Sequence, residues 1–239
     1  MKPKAKLSNA LLRMVPVRAA QGRATKKTIV HFADSLGLVY FGYVDQHADE
    51  HELVRGFTLS MEHRDNHYCV GSINGYDVTL VERTDIIRFP DKPSQRYSWL
   101  ILQIDLRGQD FPHAFFSSVR HPDTYYANFF IKQARFRKLG LDLWVDHDPA
   151  FVQHFSAFGA FDDSRDIRRL FSVDITAAMA RYFSGLEFEL TNDKLYVYAS
   201  NQHITYALLE RIVKNGLWLA RQLDTVEETQ DDARTFQIK

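Results

Sequence analysis

Asn74-Gly75 is the feature that most narrows what this chain can fold into. The dipeptide separates two runs rich in β-forming residues, His67–Ile73 and Tyr76–Thr84. A type I′ turn needs φ > 0 at both central residues, and Asn-Gly supplies that conformation at the lowest cost. A two-residue loop also sets the strand register. It places Ile73 opposite Tyr76, Gly71 opposite Val78, Cys69 opposite Leu80 and His67 opposite Glu82 on one face. On the other face Ser72 meets Asp77, Val70 meets Thr79, Tyr68 meets Val81 and Asn66 meets Arg83. The first face is mostly apolar. The expectation is a buried Cys69 and a His67–Glu82 contact at the open end of the hairpin.

A second hairpin turns at Asn192-Asp193. Its pairs Leu190/Leu195, Phe188/Val197 and Leu186/Ala199 read as inward. Glu187/Tyr198 and Glu189/Tyr196 read as a solvated outer face rather than as an enclosed carboxylate dyad. Further strands are expected at 38–44, 53–61, 97–106, 111–118 and 141–145. Residues 97–106 carry apolar side chains on both faces, which suits a central strand.

Helical periodicity recurs between the strands. Ile29, Phe32, Ala33 and Leu36 share a face over 25–36. Asp123 and Gly140 bracket a helix over 124–139, with Tyr126, Phe129 and Phe130 inward. Asp148-Pro149 reads as N-cap and first helical residue of a segment that puts Phe151, Phe155 and Phe158 on one face and stops at Gly159. Over 174–184 the inward residues are Ile175, Ala178, Met179 and Tyr182. A long helix near 203–223 buries Leu208, Ile212, Leu219 and Leu223, with Gly216 allowing close approach. The fold class is therefore α+β: a twisted, mainly antiparallel sheet built from hairpins. Its inner face is covered by the helices near 124–139 and 203–223.

Three segments are expected: a basic arm over 1–23, one α+β domain over 24–224 and an acidic or polar tail over 225–239. Ser8 caps a short helix in the arm, and Pro16 ends it. The 45% hydrophobic and 13% aromatic content is ample for a packed core. With zero formal net charge there is no global field to draw nucleic acid. The single cysteine, Cys69, excludes an intrachain disulfide and a cysteine-based zinc site, which fits a reducing compartment. No apolar run reaches the roughly 18 residues of a membrane span, and no apolar stretch of a secretory signal follows the basic start. The acid-free start also shares its composition with transit peptides.

Three groups of residues carry chemistry. His47-Ala48-Asp49-Glu50-His51 matches the H-x-x-E-H zinc-hydrolase pattern, but that chemistry needs both histidines on one helix face and the flanks read as strands. His63, Asp65, His67 and Cys69 point one way if the chain is extended there, a constellation suited to a transition metal. Packing of Cys69 against Leu80 is the plainer reading of the same residues. Basic residues form the third group. Lys2, Lys4, Lys6, Arg13, Arg18, Arg23, Lys26 and Lys27 make residues 1–33 basic without one Asp or Glu. Lys132, Arg135, Arg137 and Lys138 crowd the end of the 124–139 helix beside its aromatics, as an RNA-binding surface would, or as cations satisfying a helix C-terminus do. Phosphate loops, dinucleotide fingerprints and nucleophile elbows are absent from the sequence, and no catalytic or cofactor-binding residue is assigned.

The order of a Trp-bearing strand (Trp99–Leu106), Phe-Pro-His-Ala (111–114), Phe155 and Phe158, Leu-Phe-Ser-Val-Asp (170–174), a Glu-bearing hairpin and a final amphipathic helix resembles a loose group of bacterial domains of unknown function. Some of these sit beside membrane helices. The resemblance spans roughly residues 70–223 in spacing and implies α+β architecture and a bacterial, non-enzymatic protein. The functional expectation is a non-catalytic binding or scaffold domain, cytoplasmic and peripheral to the inner face of the membrane. Its basic arm would meet an anionic surface or a protein partner. A metal-dependent hydrolase is the rival reading, and RNA binding the third.

Overall fold

The computed structural model describes residues 7–43, 56, 63–87, 93–108, 110–119, 121, 125–126, 129–130, 134–141 and 146–236. Among them nine strands form one antiparallel sheet. These are β1 (Val39–Tyr43), β2 (Arg64–Ile73), β3 (Tyr76–Ile87), β4 (Gln95–Asp105), β5 (Phe111–Ser117), β6 (Phe136–Leu139), β7 (Ser156–Ala160), β8 (Glu187–Asn192) and β9 (Lys194–Ser200). Their order across the sheet is β1-β2-β3-β4-β9-β8-β5-β7-β6. Five helices accompany them: α1 (Leu7–Leu36), α2 (Pro149–His154), α3 (Ser164–Leu170), α4 (Val173–Tyr182) and α5 (Tyr206–Phe236). The α+β class is thus the observed one.

Both hairpins form about the expected turns. Asn74 and Asn192 adopt φ of 54° and 50°. In the first, the pairs from Ile73↔Tyr76 back to Cys69↔Leu80 are those the turn dictates. Beyond Cys69 the register shifts. His67 takes φ 56°, the signature of a bulge, and the next pairs are Asn66↔Glu82 and Asp65↔Arg83. The expected pairs His67/Glu82 and Asn66/Arg83 are therefore corrected to Asn66/Glu82 and Asp65/Arg83. In the second hairpin every pair from Thr191↔Lys194 to Glu187↔Tyr198 is in the expected register.

The helices α1 to α5 cover one face of the sheet. Cys69, Leu80, Leu102, Phe116, Phe188 and Val197 pack beneath them in one apolar core. Leu208, Ile212, Leu219 and Leu223 of α5 are all buried there. Gly216 is where α5 presses closest: a Cβ at that position would meet Leu102 Cδ2 at 2.9 Å and Ile104 Cδ1 at 3.0 Å.

Four local expectations are corrected. Pro16 does not end the first helix, since α1 is continuous through it. One lost amide donor is tolerated where Leu, Arg and Ala neighbours favour helix. The helix expected over 124–139 ends early: Phe130 lies in a turn and 136–139 is strand β6, paired with β7. Tyr125 and Phe129 pack on the opposite face of the sheet from α5, so the two segments do not share a layer. The helix opened by Asp148 stops at His154, because β7 is held between β5 and β6. Phe155 and Phe158 consequently face opposite cores. Tyr182 of α4 is 54% exposed rather than inward. The strands expected at 53–61 and 141–145 lie almost entirely outside the described residues. No described helix is long and apolar enough to cross a membrane.

Candidate functional site

The second face of the sheet is closed rather than solvated. Glu187 and Glu189, expected to face solvent, are 0% and 4% exposed. The strand register was right and the environment was not. Tyr125, Tyr126, Phe129 and Phe130 lie over this face with Phe115, Phe136 and Phe158.

Burying two carboxylates is expensive unless every oxygen finds a donor. Here each does. Glu187 Oε1 lies 2.8 Å from Ser117 Oγ on β5 and 3.2 Å from His121 Nε2, and Ser200 on β9 donates to its Oε2. Glu189 Oε1 lies 2.8 Å from His113 Nε2, and Tyr198 donates to its Oε2 at 2.5 Å. Carboxylates whose two oxygens are both taken by neighbouring strands act as joints between β5, β8 and β9. Burial, followed by the charge of Glu187, pushes the Tyr125 hydroxyl well above the ordinary phenol range. Tyr196 is raised by burial and then by Glu189. The Tyr125 hydroxyl and the Trp99 indole N–H are both buried and make no hydrogen bond of ordinary geometry. They lie close enough that the indole N–H partly offsets the upward pull on Tyr125.

Toward β2 the same face holds Arg83, buried, with Nε and Nη2 donating to Asp65 Oδ1 and Oδ2 at 2.8 and 2.7 Å. Arg83 Nη1 also donates to the Gly56 carbonyl at 3.1 Å. A Cβ on Gly56 would collide with the Tyr198 hydroxyl and sit 3.3 Å from Tyr196 Cδ1. Residue 56 is thus a glycine because the chain crosses directly over the two tyrosines.

Of the metal candidates, His47, Glu50 and His51 lie outside the described residues. His63 is half-buried just before β2. His67 sits on the bulge, its Nδ1 2.9 Å from Tyr40 Oη and its Nε2 3.7 Å from Glu82 Oε2. The expected His67–Glu82 contact is therefore present. Burial, then Lys26, holds His67 below the ordinary imidazole value, and burial raises Glu82. Asp65 turns away to Arg83, and Cys69 faces the helix-covered core with its thiol pushed up to about 12 by burial. Among the described residues no three His, Cys, Asp or Glu side chains are grouped to hold a metal ion.

Among the basic candidates, Lys2, Lys4, Lys6 and Lys132 lie outside the described residues. Arg13 and Arg18 fall within the span of α1. Arg23, Lys26 and Lys27 are exposed on α1, and Ile29, Phe32 and Ala33 further along it are buried. Arg135, Arg137 and Lys138 are exposed at the β6 edge, where Arg137 Nη1 donates to the carbonyls of Ala134 and Phe136. Sequence reasoning missed the Glu187–Glu189 network, although its signal was present: each glutamate faces a tyrosine across a hairpin whose other face is wholly apolar.

Fold and site together define an α+β protein whose single sheet carries helices on one face and a closed polar-aromatic network on the other. No family model and no curated protein matches the chain. Among solved structures it is similar in fold to the crystal structure of the mycobacterial trehalose monomycolate transport factor A, TtfA. The TM-score is 0.56 and the identity 10%, over 85% of this chain and 94% of that one.

Proposed function

We propose that this chain is a non-catalytic binding domain that rests on an anionic membrane surface, at the cytoplasmic side, through the basic part of α1. The observation that carries this reading is the charge layout of that helix. Eight Lys or Arg and no acid fall within residues 1–33, five of them in α1, whose one acid is Asp34 near its end. Arg23, Lys26 and Lys27 are exposed, while Ile29, Phe32 and Ala33 are buried against the body. A helix of 30 residues is roughly 45 Å long, and every Lys and Arg it carries precedes Ile29. Each Lys or Arg near an anionic leaflet is worth about 1 kcal/mol, and several together suffice for reversible attachment. In this reading residues 24–224 are the body, 1–23 the arm and 225–239 a polar tail. The solved structure of similar fold is named as a transport factor, which accords with an accessory rather than a catalytic role.

Co-sedimentation tests the proposal. The full chain is expected to pellet with phosphatidylglycerol vesicles and to remain in solution with phosphatidylcholine vesicles. A chain lacking residues 1–27 is expected to lose that binding, and undiminished pelleting of the truncated chain ends the membrane reading.

A further inference from the structure

On the helix-covered side a groove of about 1060 Å³ runs between α1, α4 and α5. Its floor includes Phe32, Leu36, Phe183, Leu217 and Trp218. Two aromatic side chains stand at its edge, Tyr182 at 54% exposure and Tyr206 at 37%. Its walls are tied together. Asn215 Nδ2 donates to the Tyr182 carbonyl at 2.8 Å, and Arg211 donates to the Ser184 carbonyl and to Gln202 Oε1. The last turn of α4 is thereby clamped to α5, and the groove does not need an occupant to form.

We infer that this groove receives an acidic amphipathic helix of a partner protein. Two observations select that occupant. The first is charge: Arg181, Arg211 and Lys214 border the apolar floor, against one acid, Glu210. The second is the wet rim. An acyl chain needs apolar cover on all sides, whereas Tyr182 and Tyr206 stand partly exposed to water at the groove's edge. An amphipathic helix has a dry face for the floor and a wet face for the opening. Amphipathic tyrosines at the edge suit such a contact. The inference goes beyond the membrane reading and does not depend on it, since the groove lies past the residues whose removal tests that reading.

The test uses the full chain and a designed, fluorescein-labelled helical peptide of about 18 residues, roughly 27 Å. The peptide carries leucines on one face and glutamates flanking them. A second peptide replaces each glutamate by lysine, and palmitate is the lipid probe. The acidic peptide is expected to bind and to shift the emission of Trp218, a change lost in Trp218→Phe. Arg181→Glu combined with Lys214→Glu alters two exposed rim positions, so the fold is retained, checked by an unchanged Tm. That variant is expected to lose at least ~10-fold in affinity for the acidic peptide, about 1.4 kcal/mol, and to gain affinity for the basic one. Equal binding of both peptides by the unaltered chain, or a Trp218 response to palmitate without one to the acidic peptide, would overturn the inference.

Discussion

Arg83 and Asp65 form a two-pronged ion pair inside the sheet, at 2.8 and 2.7 Å, with both side chains nearly inaccessible to solvent. The pair exists because of a single extra residue. Without the bulge at His67, Asn66 would stand opposite Arg83 and no carboxylate would meet the guanidinium.

Removing one member of such a pair leaves the other charged, buried and unpartnered. Arg83→Met is expected to destabilise the fold by about 3–5 kcal/mol. Arg83→Met combined with Asp65→Leu removes both charges and is expected to recover most of that loss. Urea unfolding of the two variants reads the difference, and a double variant as unstable as the single one contradicts the account.

Gly56 bears on the other half of the same face. Gly56→Ala sets a methyl group against the Tyr198 hydroxyl, which donates to Glu189. Overpacking of this kind costs about 1–3 kcal/mol. Tyr198→Phe in the Gly56→Ala background removes the clashing atom. The double variant is therefore expected to lose less than the sum of the two single losses, a coupling that a thermal melt of all four chains measures.

How far these features could be read in advance differs along the chain. Near Asn74-Gly75 local chemistry decides, and the pairs back to Cys69↔Leu80 follow from the turn alone. The bulge at His67 has no comparable mark, since a non-glycine residue at φ 56° is held by its surroundings, here Tyr40 and Glu82. Glu187 and Glu189 show the same limit from another side. Their register was legible, yet their burial depends on cover supplied by Gly56 and Tyr125, remote in sequence. Phe136–Leu139 continues a helical pattern and becomes a strand because β7 offers it an edge. The groove was hidden for a related reason: Tyr182 fits the inward stripe of α4, and only the placement of α5 leaves it at a rim.

Cys69 supplies a chemical check on the first hairpin. Its thiol is 0% exposed and pushed up to about 12, first by burial and then by Asp34. The thiolate is the reactive form, so the native protein is expected to release no thionitrobenzoate from Ellman's reagent on a timescale of minutes. The unfolded chain should release one equivalent, and rapid release by the native chain would place Cys69 outside the core.

His67 gives the fold a pH dependence of definite sign. Its folded-state value is lowered from 6.5 by burial and then by Lys26. The associated stability is present above the unfolded value and is lost as pH falls through the folded one. Glu82, raised by burial, acts in the opposite sense: its contribution is present at low pH and is lost as pH rises through its folded value. His67→Asn keeps a residue that tolerates positive φ. Its Tm is expected to fall less than that of the parent between about pH 7.5 and about pH 5, the range spanning the ordinary histidine value. An identical fall in both would show that His67 does not titrate in this way.

The central claim, that charge on α1 holds the protein to an anionic surface, is tested most directly by reversing that charge in the full-length chain. Arg13→Glu, Arg18→Glu and Arg23→Glu together leave Ile29, Phe32 and Ala33 to anchor the helix. Pelleting with phosphatidylglycerol vesicles is then measured for the parent and the triple variant at low and high salt. The account predicts binding by the parent that salt weakens and none by the variant at either salt; equal, salt-insensitive binding by both would contradict it.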